Sequence, residues 1–135
     1  MSRESKRAAG VLMILMPAVV FGGASILSLL VGDPAYAENE LRQDLWRAGH
    51  AHAGVLLVLA LVVLRYVDEA RLSNRMKWVV RESVPAAAIL LPVAFFLSVT
   101  SADATEPNAL INLAYVGAVS LTVGLVILGV GLVRR

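Results

Sequence analysis

Cysteine is absent from this 135-residue chain, histidine occurs only twice, and charged residues make up only 16% of it. The absence of cysteine excludes disulfide bonds, thiolate metal sites and covalent haem attachment through a CxxCH motif. The low charge, together with 59% hydrophobic residues, excludes an ordinary soluble domain, in which about half of the residues are apolar. The composition therefore indicates a membrane protein.

Four apolar stretches account for most of the chain. They cover residues 8–31, 46–67, 84–100 and 109–133. Each is predicted to be a transmembrane helix, because about 20 apolar residues cross the hydrocarbon core and lipid offers backbone groups no water to bond. The sequence thus predicts an all-α fold, an integral membrane four-helix bundle that forms a single domain over residues 1–135.

Basic residues predict the orientation of these spans. Ten of the 12 Lys and Arg residues lie in the N-terminal tail, the second connection or the C-terminal end, and only Arg42 and Arg47 lie on the other side. Because positive charge is retained on the cytoplasmic side, both termini are predicted to be cytoplasmic in a multi-pass protein of the cell membrane. The basic second connection favours contact with anionic lipids and not with nucleic acid.

The first stretch also has an alternative interpretation as a signal peptide. Ala35-Tyr36-Ala37 would then be the A-x-A cleavage site, although the 21 residues of 11–31 exceed the roughly 7–15 of a typical signal-peptide core. An uncleaved first helix is the prediction retained here. After it, Asp33-Pro34 is a helix-start signal, either for a short helix to about Arg42 or for a turn before a second span that begins after Asn39.

Small and polar residues are organised on two helices. The first span carries small residues at four-residue spacing, Ala24, Ser28 and Gly32, and the fourth carries glycines at seven-residue spacing, Gly117, Gly124 and Gly131. Such strips let helix backbones approach closely in lipid. A polar strip lies nearly opposite the glycines of the fourth span, Asn108, Asn112 and Tyr115. Two contact faces on one helix predict a homo-oligomer or a place in a larger membrane complex.

Both histidines fall in one segment at the outer end of the second span, Gly49-His50-Ala51-His52-Ala53-Gly54. Ionisable groups within a membrane tend to face a cavity, a partner or a cofactor. Residues two apart on a helix point about 200° away from each other, so both rings cannot hold one ion. His50 shares its side with small residues and is predicted to point inward.

Several functions fit such a histidine. His50 is a candidate ligand of a haem or a transition metal, in a cofactor site completed by His52, Asn112 or Tyr115. Either histidine is also a candidate proton- or cation-responsive site with an acidic residue of the same side, Glu38, Glu40, Asp44, Asp103 or Glu106. Histidine acid–base catalysis, or a transporter cavity between Pro92 and Asn112, is a further alternative. In the simplest case both rings bond water and lipid at the headgroup boundary.

Residues 49–54 resemble the haem-ligating helices of haem–copper-oxidase-like membrane proteins, which hold haem in the outer half of the membrane. That resemblance covers about 15 residues of one helix and implies haem ligation by His50 or His52. A bis-histidine haem would need a second copy of the chain, since the other spans contain no histidine. The size of the chain and Arg47-Ala48 also resemble small four-helix membrane enzymes that use glutathione, although glycine and valine replace the Asn and Glu of their motif.

Overall fold

The computed structural model describes residues 1–134 and has the all-α bundle architecture that the sequence predicts. Its elements are α1 (Arg3–Gly32), α2 (Pro34–Ala37), α3 (Glu40–Tyr66), α4 (Asn74–Leu97), a 3₁₀ turn (Ala109–Asn112) and α5 (Leu113–Val133). Within the described residues, α1, α3, α4 and the 3₁₀ turn continued by α5 are four helices long and apolar enough to cross a membrane.

The first connection combines both predicted helix starts. The Asp33 side chain accepts a hydrogen bond from the Ala35 amide at 3.0 Å, and Pro34 occupies the first position of α2. Asn39 then caps α3 by accepting from the Arg42 amide at 3.0 Å. The short helix therefore ends after one turn, and the second span begins where the alternative interpretation placed it.

The third span differs most from its predicted bounds. The apolar stretch starts at residue 84, whereas α4 begins at Asn74, where the Ser73 hydroxyl accepts from the Met76 amide at 3.3 Å. Its first turns are polar and extend beyond the apolar stretch. Pro85 and Pro92 both lie within the continuous helix.

Helix α5 packs on α4 along the predicted glycine seam. A Cβ atom on Gly117 would lie 3.0 Å from Leu91, one on Gly124 would lie 2.9 Å from Val84, and one on Gly131 would lie 2.6 Å from Leu72. All three glycines are buried. The predicted close-packing seam is therefore confirmed, and it is used within the chain.

The start of α1 and the end of α5 lie at one end of the bundle, here called the termini end. The Ser2 amide donates to Asp68, in the α3–α4 connection, at 2.6 Å. The Arg71 amide of the same connection donates to the Gly131 carbonyl, near the end of α5, at 2.8 Å. At the opposite end lie α2 and the connection of residues 98–108.

The core lies mainly between α3 and α4, where Ala60, Leu64, Val84 and Ala94 are all fully buried. Helix α1 contributes only Ser5, Ala9 and Leu12 as buried residues, all in its first turns. Its second half leaves the small residues Ala24 and Ser28 exposed. The small-residue strip of the first span therefore has no role in packing the core.

Candidate functional site

A cleft of about 250 Å³ opens between α1, α3 and α4. Its apolar wall comes from all three helices, with Leu15, Val19, Leu57, Ala88, Ile89 and Phe96. His50 is the one ionisable residue in the lining. The cleft therefore contains a single group able to make a strong directed polar contact.

His50 lies against two consecutive glycines of α1. A Cβ atom on Gly23 would stand 2.8 Å from Nε2 and 2.9 Å from Cε1 of the imidazole, whereas one on Gly22 would lie 3.9 Å from Nδ1. Only glycine at position 23 leaves room for the ring in this orientation. Nε2 lies beside Gly23, whereas Nδ1 lies towards Gly22, which lines the cleft.

The two histidines differ in their hydrogen bonds. Nδ1 of His52 lies 2.7 Å from the Ala48 carbonyl, and because a carbonyl only accepts, this nitrogen carries the proton. The His52 ring also packs on Phe95, with ring centroids 5.1 Å apart. Within residues 1–134, the His50 imidazole makes no hydrogen bond to protein.

Both histidine rings contact a neighbouring helix, whereas the sequence predicted an inward position for His50 alone. The reason is that α3 lies between α1 and α4. His50 turns towards α1, and His52 turns towards Phe95 of α4. A helix with neighbours on two sides has no single inward face.

The structure does not bring Asn112 or Tyr115 to His50 within one chain. Tyr115 is 72% exposed, and Asn112 is exposed and donates to the Ala109 carbonyl at 3.0 Å. Both lie away from the glycine seam, and the seam is the face that α4 covers. Pro92 is buried on α4, so Pro92 and Asn112 do not face a common cavity.

The acidic residues of the opposite end also lie apart from the histidines. Glu38, Glu40 and Asp103 line a separate open cavity of about 610 Å³. Asp44 pairs with Arg47 at 2.8 Å. In the part of the chain that is described, neither imidazole forms an ion pair. The predicted histidine–carboxylate pair is therefore not formed in this conformation.

The lining of this cleft offers a haem or a transition metal only one ligand, His50. Residues 1–134 contain no group of three or more His, Cys, Asp or Glu side chains placed to hold a metal ion. The ring of that histidine lies against Gly23 of α1, where a Cβ atom would stand 2.8 Å from Nε2. The described residues of one chain therefore do not assemble a metal centre here.

A set of aromatic and cationic contacts holds the wall of the cleft in place. The Trp46 indole donates to the Phe96 carbonyl at 3.2 Å. The Arg42 guanidinium lies over the Trp46 ring, 4.8 Å from its centroid, and Nε donates to the Val99 carbonyl at 3.2 Å. These contacts fasten the first turns of α3 to the end of α4, and so fix Phe96 beside His50.

The burial of Arg42, which is only 7% exposed, was not predicted from the sequence. Its spacing of four residues from Trp46 was the available signal, because such residues are neighbours on a helix. Tyr36 is buried against the same group, with its ring 5.7 Å from the Arg42 guanidinium. Burial raises the pKa of Tyr36, and the positive charges of Arg47 and Arg42 oppose that rise.

A second polar network, which was also not predicted from the sequence, lies at the termini end. Arg81 pairs with Asp68 at 2.5 Å and donates to Ser5 at 2.9 Å, while Lys77 donates to the Asp68 carbonyl at 2.9 Å. Burial raises the pKa of Asp68, but hydrogen bonds from the Ser2 amide, Arg81 and Ser5 and the charge of Arg81 outweigh it and lower the pKa to about 2. The network ties α1 to α4 and to the α3–α4 connection.

Comparison with protein-family models, with curated proteins and with solved structures finds no match for this chain.

Proposed function

We propose that this chain is a multi-pass protein of the cell membrane that acts as a compact binding or accessory subunit, with the His50 cleft as its binding site. The observation that carries the proposal is an imidazole without a protein hydrogen-bond partner, within residues 1–134, in an otherwise apolar cleft. A polar group in an apolar environment is unfavourable unless it is hydrogen-bonded. A bound molecule would supply the bond that the chain itself does not.

The distribution of positive charge supports an extracytoplasmic position for the cleft. The termini end carries most of the Lys and Arg residues, which favours the cytoplasmic side. His50 follows Arg47 by three residues and so lies about 4.5 Å deeper along the helix. The site would then lie just below the outer headgroups and open to lipid.

At the termini end, the exposed basic residues favour membrane lipids as partners. Arg71 and Arg75 are exposed beside the α3–α4 connection, and each basic residue near an anionic membrane surface contributes about 1 kcal/mol of attraction. Arg81 is excluded from this surface, because it is paired with Asp68.

We also propose that the chain forms a homo-oligomer through the second half of α1. Ala24 and Ser28 are exposed there, and a Cβ atom on Gly32 would meet nothing within 4 Å. Small residues at this spacing suit close helix contact in lipid. Cross-linking in membranes should give dimers that Ser28→Leu reduces and Leu27→Phe, about 100° around the same helix and 61% exposed, does not. Only monomer in the parent protein would contradict the proposal.

Native mass spectrometry of the protein released from membrane nanodiscs tests the binding proposal. The parent protein and His52→Ala should retain a bound small molecule, and His50→Ala should lose it. His52→Ala is the matched control, because it removes the same side chain two residues away. A bound mass that survives His50→Ala, or none in any sample, would contradict the proposal.

A further inference from the structure

We infer that the His50 cleft binds a neutral, lipid-soluble quinone, with a ring carbonyl at Nδ1 of His50 and the isoprenoid tail along the apolar part of the cleft. The inference rests on the proposed function and names its ligand class. Three features of the cleft support it: its lack of charged residues, its lining by Gly22 and Phe96 beside His50, and its length.

The polar end of the ligand is neutral because the cleft provides no cation for a charged one. Arg42 and Arg47 are the nearest basic residues along α3, and they contact the Val99 carbonyl and Asp44 instead. Burying an unpaired carboxylate or phosphate is strongly unfavourable. A carbonyl oxygen needs only one donor, and an imidazole N–H at Nδ1 supplies it.

The shape beside His50 suits a flat ring. Gly22 lines the cleft beside His50 without a side chain, and Phe96 adds an aromatic ring to the same lining. Aromatic rings favour offset-stacked or edge-to-face contact with another flat π-system. A branched or globular head group would not use these features.

The remaining cleft suits an apolar tail. It extends from His50 to Leu57 along α3 and from Gly22 to Leu15 along α1, which is about 10 Å in each helix. Leu15 is exposed, so the lower part of the cleft is open to lipid. Isoprene units leaving the ring would therefore pass directly into the bilayer.

Tryptophan fluorescence offers a direct test, because quinones quench indole emission at short range. Trp46 lies next to the cleft, with its ring 6.0 Å from that of Phe96, whereas Trp78 lies on the first turns of α4, at the termini end. Nanodiscs of a zwitterionic lipid containing Trp78→Phe protein should show saturable quenching by a short-tailed benzoquinone or naphthoquinone. Trp46→Phe protein should show only the linear quenching that partition into the bilayer produces.

Two test variants, each with its own control variant, probe the site in the Trp78→Phe protein. His50→Ala should weaken quinone binding at least tenfold, and His52→Ala should leave it unchanged. Ala18→Phe fills the cleft from its lipid-exposed rim and should abolish saturable quenching, whereas Val20→Phe, on a side of α1 that is 70% exposed, should not.

The outcomes separate the inference from the proposed function. If native mass spectrometry finds a His50-dependent ligand but no quinone gives saturable quenching, the inference is overturned and the binding function stands. If neither experiment gives a His50-dependent signal, both fail. Saturable quenching unchanged by both His50→Ala and Ala18→Phe also overturns the inference.

Discussion

The imidazole of His50 lies against Gly23 of α1, and a Cβ atom there would lie 2.8 Å from Nε2. Gly23→Ala should therefore displace the ring, since a side-chain ring moves more easily than a helix backbone. We expect a changed imidazole NMR signal for His50 and a loss of ligand, with only a small change in melting temperature.

Gly22→Ala is the control for this prediction. Its Cβ would lie 3.9 Å from Nδ1, an ordinary van der Waals distance, so the His50 signal should stay close to that of the parent protein. Equal displacement by both substitutions would contradict the described position of the ring.

Gly124→Ala should destabilise the bundle. The added methyl group would meet Ser83 and would lie 2.9 Å from Val84, and overpacking of this kind typically costs about 1–3 kcal/mol. Gly129→Ala is the matched control on the same helix, because nothing lies within 4 Å of its Cβ position. Thermal unfolding in detergent measures both, and an equal loss in the two variants would argue against the α4–α5 seam.

Asp68 should make the stability of the protein depend on acid pH. Its pKa is about 2 in the fold and about 3.9 in an unfolded chain, so its contribution is present above pH 4 and is lost as the pH falls from about 4 to about 2. This difference in pKa corresponds to about 2–3 kcal/mol. Asp68→Asn should lose a similar amount at neutral pH, and its unfolding free energy should change less over the acid range.

Trp46→Phe should destabilise the end of the bundle that lies opposite the termini end. It removes the hydrogen bond to the Phe96 carbonyl and weakens the stacking of Arg42, which together should cost about 1–2 kcal/mol. Trp78→Phe is the control, since Trp78 is 61% exposed. Chemical denaturation in mixed micelles compares the two; greater destabilisation by Trp78→Phe would contradict the role of Trp46.

The two termini should lie on the same side of the membrane. The start of α1 and the end of α5 lie at one end of the bundle, through the contacts of Ser2 and Arg71, and the positive charges favour the cytoplasm there. Reporter fusions at residue 1 and residue 135 should both show cytoplasmic activity, and a fusion after Asp103 should show the extracytoplasmic signature. Opposite results for the two termini would contradict this topology.

Much of the fold follows from local patterns in the sequence. Hydrophobic length predicts the four spans, seven-residue spacing predicts the seam through Gly124, and the side chains of Asp33 and Asn39 predict two helix starts. These features depend on neighbours along the chain. Helices α1 and α4 begin before their apolar stretches, because their first turns are polar.

The candidate site depends on contacts between distant segments, and the sequence predicted it only in part. Helical spacing favoured an inward His50, but the contact with Gly23 requires the relative register of α1 and α3, which no local pattern encodes. The pairing of Arg81 with Asp68 likewise depends on how the α3–α4 connection folds. Asn112 was assigned to the site because its helix face was predicted without knowing which neighbour covers α5.

Helix α1 is held at its two ends, because Ser2 anchors its start and α2, with its buried Tyr36, follows directly after its last residue. Ser2 ties its start to Asp68, but beyond Pro17 none of its described residues is fully buried. In residues 1–134, no side-chain hydrogen bond joins that second half to another helix; the Ser25 hydroxyl bonds only to the Phe21 carbonyl of its own helix. The part of α1 beside His50 can therefore bend away from α3 without breaking a side-chain hydrogen bond between helices, and a molecule dissolved in the bilayer can reach His50 sideways without passing through water.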